Sequence, residues 1–232
     1  MQDYNFTSYE AHLEELHVGR YAIADVSRWT GLSAGRVRRW LGTSGSYPPR
    51  LRLVKRHEST PINLASFLDV VELHMVSELV KKGMNFKKIR ASLHEAAQLN
   101  EVSHPLARQK YLLHAGRLFM PSEKSGIYEL DAGGQLAITA IIKHRAEDIE
   151  FDPKGVAERF WLQGRNKGVY MDPFVTAGIP VVEGTSIMTE VLYEAWRLED
   201  GDTKIVAEQY GIEETQVRYA IEFESGFRKQ VA

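Results

Sequence analysis

Between Ile23 and Leu41 two short runs with apolar residues at helical spacing meet at Thr30-Gly31-Leu32-Ser33. This pattern constrains the chain more than any other. Gly31 suits the left-handed position that ends a helix, and Ser33 can cap the next one by accepting a backbone N–H. Two helices joined so tightly must cross closely. The first therefore needs a small residue at the crossing and the second an apolar anchor, and Ser27 and Val37 stand at those places. On a helical wheel Val37 and Leu41 point inward and Trp40 flanks them, leaving Arg36, Arg38 and Arg39 on the outward arc. The expected element is a helix-turn-helix.

Charge then separates this corner from an ordinary one. The 232-residue chain has a net charge of −2, yet Arg20, Arg28, Arg36, Arg38, Arg39, Arg50, Arg52, Lys55 and Arg56 face one acid, Asp25, between positions 20 and 56. A cationic segment inside a weakly acidic protein is the expected footprint of a phosphate-bearing partner. Arginine suits such a place because its planar fork can grip a guanine edge or a phosphate with two hydrogen bonds. From Thr43 to Arg56 glycine, serine and proline break helix, while Leu51-Arg-Leu-Val-Lys offers a short strand, together readable as a wing.

Further along, Ser66-Phe-Leu-Asp reads as a capping box with aspartate in the acidic place, followed by Leu68, Val71, Met75 and Leu79 at helical spacing. Gly83 ends that helix. Asn85 can cap the next, whose stripe is Phe86, Ile89, Leu93 and Ala96, and a further helix is expected near Pro105. Gly116 to Leu130 reads as strands around a turn at 123–126, and Gln135 to Ala146 as helix. Phe160-Trp-Leu and Val169-Tyr-Met read as short strands, Asp172-Pro173 as a turn, and Gly178 to Thr185 as a loop or β-arm. Helices are expected over Met188–Leu198, Thr203–Tyr210 and from Glu214 through Phe223. The fold class is mainly α. Residues 1–115 and 166–232 form its N- and C-terminal helical domains, with a short β-containing connector over 116–165.

The corner recurs 180 residues later: Val206, Ala207, Gly211, Ile212, Val217, Arg218 and Ile221 match Val26, Ser27, Gly31, Leu32, Val37, Arg38 and Leu41. Its surface does not recur. Glu208, Glu213, Glu214, Glu222 and Glu224 surround Arg218, and phosphate would repel that face. Two readings stand for this second copy, a protein contact or a helical corner completing a core.

Other chemistry finds little footing. With no cysteine, disulfides, thiolate nucleophiles and cysteine-ligated metals are ruled out. His74 and His94 fall on separate helices with no carboxylate at ligand spacing and read as ordinary core or surface imidazoles, so no metal and no cofactor is expected. Gly178 to Thr185 lacks the lysine of a phosphate-binding loop, and Asp148, Glu150 and Asp152 read as a solvated acidic turn rather than a catalytic set. The expectation is a non-enzyme. No stretch approaches the ~20 apolar residues of a membrane span, and the first residues lack the pattern of a secretory signal, so the chain reads as cytoplasmic.

Two resemblances sharpen these expectations. Ile23-Ala-Asp-Val, Gly31-Leu-Ser, Val37-Arg-Arg-Trp, the helix through Leu79 and Gly83-Met-Asn-Phe-Lys-Lys-Ile make Tyr21 to about Ala97 resemble the winged helix-turn-helix DNA-binding domain of the MerR family. The segment lacks that family's usual arginine-tyrosine pair in the wing and its long C-terminal dimerisation helix. Asp172-Pro, Gly178-Ile-Pro-Val-Val-Glu-Gly-Thr-Ser-Ile, Ala207-Glu-Gln-Tyr-Gly-Ile and Val217-Arg-Tyr-Ala-Ile-Glu-Phe resemble a domain of unknown function found in many VapB-type antitoxins, with Ser186 where an arginine usually follows the Gly-Thr pair. That domain would be a small, homeodomain-like helical one. The combination implies a DNA-binding antitoxin of a type II toxin-antitoxin pair. It would be a homodimer on double-stranded operator DNA, neutralise a PIN-type metal-dependent ribonuclease toxin, and regulate its own operon. The implied DNA contacts are Arg28, Arg36, Arg38, Arg39, Arg50, Arg52, Lys55 and Arg56. The implied toxin contacts are Arg197, Arg218, Phe227, Arg228 and Lys229, with the cationic tail entering the toxin's active site. The competing expectation is a MerR-like transcriptional regulator that answers to a small molecule and has no toxin partner.

Overall fold

The structure, a computed structural model, describes residues 9–42, 64–100, 102–109, 144 and 146–228, with backbone alone at 98–100, 227 and 228. The protein is mainly helical. Among the described residues there are eight α-helices, α1 (Tyr9–His17), α2 (Ile23–Thr30), α3 (Ala34–Leu41), α4 (Phe67–Lys81), α5 (Phe86–Asn100), α6 (Thr189–Leu198), α7 (Thr203–Tyr210) and α8 (Glu214–Arg228). Six short strands accompany them, β1 (Tyr21–Ala22), β2 (Leu64–Ala65), β3 (Ile149–Phe151), β4 (Ala157–Phe160), β5 (Val169–Tyr170) and β6 (Val181–Val182). The chain divides into two compact units, 1–146 with 151–157 and 147–150 with 158–232, so the boundary falls inside the stretch read from sequence as a connector.

In the first unit α4 is the spine. Ser66 and Asp69 form the expected capping box, and twelve of its fifteen residues are buried, as a helix surrounded on all sides requires. An antiparallel ladder, Tyr21 opposite Ala65 and Ala22 opposite Leu64, returns the chain to the start of α2 before α4 begins. Gly31 takes φ 68°, the Ser33 side chain accepts the Arg36 N–H, and the Ser77 hydroxyl donates to the Thr30 carbonyl at 3.0 Å, fixing the corner to α4. The Asn85 side chain accepts from Lys87 N at 2.9 Å, while Ile89 and Leu93 are wholly buried.

Three expectations for this unit are corrected. The helix near Pro105 is a single 3₁₀ turn, Pro105–Ala107, begun by His104 at φ 51°. Trp40 does not flank the core but lies within it, stacked on Phe86 with ring centroids 4.3 Å apart. The acidic stretch is not a solvated turn, since Asp152 is buried in this unit and Asp148, which belongs to the second, is buried too. Asp152 accepts from Lys154 N, Val156 N and the Tyr9 hydroxyl, so it closes a loop and ties it to α1. The wing over 51–55, the strands over 116–130 and nearly all of the helix over 135–146 lie outside the described residues.

In the second unit β5 and β6 pair antiparallel, Val169 opposite Val182 and Tyr170 opposite Val181. The first of the two strands expected here is displaced, with β4 ending at Phe160 rather than running on through Trp161 and Leu162. Helices α6 to α8 close over a core of Val182, Leu192, Val206, Ala207, Val217 and Ala220. Gly168, at φ 60°, admits the Tyr219 ring so closely that a Cβ there would stand 2.4 Å from it. The internal repeat holds in register: α7 and α8 begin 180 residues after α2 and α3, and Gly211 repeats Gly31 with φ 64°. Val26, Val37, Val206 and Val217 are all fully buried. No helix among the described residues is long and apolar enough to cross a membrane.

Candidate nucleic-acid interface

On α3 of the first unit three arginines stand exposed within four residues. Val37, Trp40 and Leu41 are buried, which leaves Arg36, Arg38 and Arg39 exposed together on the opposite side, the arc that the helical wheel predicts. The Arg36 guanidinium lies 5.9 Å from the centre of the Trp40 ring, within cation–π range. A short helix capped by Ser33, closed by Gly42 at φ 71° and pinned by a stacked tryptophan is a firm mount for three charges.

A second basic group was missed by sequence reasoning. Lys81, Lys82, Lys87 and Arg90 are exposed at the end of α4 and the start of α5, and Lys88 is half-buried among them. The Trp40–Phe86 stack joins the start of α5 to α3, and Lys81 Nζ comes within 3.6 Å of where a Cβ on Gly31 would stand. These lysines therefore border the corner. The signal was legible in Lys81-Lys-Gly-Met-Asn-Phe-Lys-Lys-Ile-Arg, beyond the Arg56 limit of the charge count.

The other basic candidates are less well placed or lie elsewhere. Arg28 is half-buried on α2, 3.4 Å from Asp25, and so belongs to a different helix from the arc. Arg50, Arg52, Lys55 and Arg56 lie outside the described residues. In the second unit Arg197 and Arg218 are exposed, but each is held by a carboxylate of its own helix, Glu194 at 3.2 Å and Glu214 at 2.6 Å. Glu214 also accepts from the Thr203 hydroxyl, and these two hydrogen bonds lower its pKa. Phe227 and Arg228 end α8 with backbone alone described, and Lys229 lies beyond it.

Elsewhere the titratable groups are structural in their surroundings. Glu72, deep in α4, is pushed up to about 7 by burial, against the pull of His104 and the Leu106 N–H. His104 Nε2 stands 3.2 Å from Asp69 Oδ1, the histidine–carboxylate pairing that sequence spacing did not disclose. His74 is buried, and His94 is half-buried with its pKa lowered by burial and by Arg90. Arg159 binds Asp172 at 3.0 Å and Glu150 at 3.1 Å and covers the Tyr170 ring at 4.6 Å, a network that braces the second unit's strands. Among the described residues no group of three histidine or acidic side chains is placed to hold a metal.

What the molecule defines is thus a mainly helical chain of two units, one of which carries an exposed arginine arc. Among solved structures it is similar to Rv2018 from Mycobacterium tuberculosis, whose crystal structure it matches with a TM-score of 0.67 at 21% identity over 88% of this chain and 98% of that one. A likeness at this identity establishes a shared fold. No protein-family model matches the sequence, and no curated protein matches it.

Proposed function

We propose that this chain is a non-enzymatic, cytoplasmic DNA-binding regulator. In this reading α2 and α3 are a helix-turn-helix, α3 lies in the major groove, and Arg36, Arg38 and Arg39 read base edges. The exposed arc on a helix locked by Val37, Trp40 and Leu41 is the observation that carries this reading. Lys82, Lys87 and Arg90 would hold flanking phosphates, as would Arg50, Arg52, Lys55 and Arg56 of the wing. One short helix reads few base pairs, so the operator would be bound by a homodimer on half-sites related by a two-fold axis. The MerR resemblance of residues 21–97 supports the same assignment.

The antitoxin resemblance extends the proposal. The second unit would hold a PIN-type ribonuclease, and the complex would repress its own operon. Of the proposed toxin contacts, Arg197 and Arg218 would have to exchange carboxylates of their own helices for those of the toxin. The tail Phe227-Arg228-Lys229 carries the remaining cations.

Two experiments test the halves separately. Binding to the DNA upstream of the chain's own gene, followed by fluorescence anisotropy, should weaken steeply with salt, because phosphate contacts release counterions. Salt-independent or absent binding sinks the DNA reading. Copurification of the full chain with the neighbouring gene product tests the antitoxin reading. If truncation after Gly226 leaves the complex and its inhibition intact, the tail mechanism is wrong.

A further inference from the structure

Among the described residues, the large hydrophobic side chains that stand exposed are Ile179, Leu198, Ile205 and Tyr210, all in the second unit. Leu198 is the extreme case, 82% exposed at the end of α6, and Ile205 on α7 is 41% exposed. The two helices are fastened where these residues project. Gln209, one turn beyond Ile205, donates to Glu199 beside Leu198 at 2.8 Å, and Gly201 N–H donates to the Trp196 carbonyl at 2.9 Å. Asp202 caps α7 by accepting from Lys204 N and Ile205 N. The Leu198 and Ile205 side chains therefore project beside a junction of α6 and α7 that is closed by hydrogen bonds.

Its surroundings are acidic. Glu199, Asp200, Asp202, Glu208 and Glu213 stand along residues 198–213 with Lys204, 4.0 Å from Glu208, and the base next to Leu198, Arg197, is paired with Glu194 of its own helix, so acids still outnumber bases. A two-fold pairing of this face with itself would set acids against acids, and like charges juxtaposed across an interface oppose association. The face calls for a cationic partner with apolar stems that can cover a leucine and an isoleucine. This chain supplies one: Arg36, Arg38 and Arg39 with Lys82, Lys87 and Arg90 alongside, long side chains whose methylenes pack on apolar groups while their charges reach carboxylates.

We propose that the acidic face around Leu198 and Ile205 docks, head to tail, on the arginine arc of a second copy of the chain. The contact joins two different surfaces, so it builds a ring or a growing chain rather than an isologous pair. It also covers the residues assigned to DNA, so self-association and DNA binding exclude each other at a given arc. That exclusion rests on the DNA-binding reading; the association itself does not.

Two full-length variants test this, both altered at exposed positions. The arc variant is Arg36→Glu/Arg39→Glu and the face variant is Leu198→Ser/Ile205→Ser/Glu208→Lys. In sedimentation velocity the wild type should show an association step at low ionic strength that salt abolishes; any dimer formed through another surface appears separately as the species that survives salt. Each variant alone should lose that step. An equimolar mixture should regain it as one-to-one pairing, because the arc variant supplies an intact face and the face variant an intact arc. A wild type without a salt-sensitive step, a variant that keeps it alone, or a mixture that fails to pair overturns the proposal. At low ionic strength the face variant should also bind DNA severalfold more tightly than the wild type. Unchanged affinity refutes the exclusion, whereas a failure of every form to bind DNA refutes the DNA reading and leaves the mixing result standing.

Discussion

Replacing Glu72 by Gln should change how the stability of the first unit depends on pH. In the folded chain this carboxyl is raised from 4.5 to about 7, because burial disfavours its charge more than His104, the Leu106 N–H and Arg108 favour it. A folded carboxyl that holds its proton more tightly than the unfolded one stabilises the fold fully below pH 4.5 and loses that contribution as pH rises to about 7. The shift of about 2.5 units at 1.36 kcal/mol each makes the loss about 3 kcal/mol. Glutamine keeps the shape and an acceptor for Leu106 N but carries no titrating proton. A two-unit chain need not unfold in one step, so the observable must belong to this unit. Hydrogen exchange of α4 amides at pH 5 and pH 8, corrected for intrinsic chemistry, supplies it. The opening free energy should fall between those pH values by about 2 to 3 kcal/mol more in the wild type than in Glu72→Gln, a little less than the full amount because an unfolded carboxyl is already largely ionised at pH 5. Equal falls in the two proteins refute the assignment of a raised carboxyl to this site.

Other perturbations have equally definite outcomes. Trp40→Ala removes a buried ring stacked on Phe86 and should cost about 3 to 5 kcal/mol, read as faster exchange along α3 and loss of DNA binding. Gly168→Ala sets a Cβ 2.4 Å from the Tyr219 ring at a positive φ and should destabilise the second unit by about 2 to 4 kcal/mol, while exchange in α4 stays unchanged. Lys82→Ala/Lys87→Ala should weaken binding to all DNA sequences alike and lower the salt slope by about two, one for each phosphate no longer neutralised.

What could be read from the sequence follows from the range of each interaction. The α2–α3 corner was legible because Gly31, Ser33 and Val37 signal within a few residues of where they act, and Ser66 with Asp69 announced α4 in the same local way. The recurrence at Gly211 and Val217 was legible as spacing. The burial of Trp40 was not, since a wheel places it at the edge of the core and it is Phe86, on another helix, that covers it. Asp152 looked solvated because its hydroxyl donor, Tyr9, lies at the other end of the first unit's sequence. The pairing of His104 with Asp69 was hidden for the same reason. For the candidate site, the arginine arc was visible and the bordering lysines were not gathered with it, because only the folded chain brings Phe86 against Trp40. The carboxylate partners of Arg197 and Arg218 stood three and four residues away, a helical spacing at which such pairs are legible in the sequence itself.

The most direct test of the central claim is the base-by-base energetics of the arc. Operator variants, each changed at one base pair, are titrated with the wild type, Arg36→Ala and Arg39→Ala at fixed salt. Each substitution should abolish discrimination at one base pair, worth about 1 to 3 kcal/mol, and leave the others nearly intact. If both variants bind every operator as the wild type does, or weaken all of them equally, α3 does not read DNA in the major groove and the account fails.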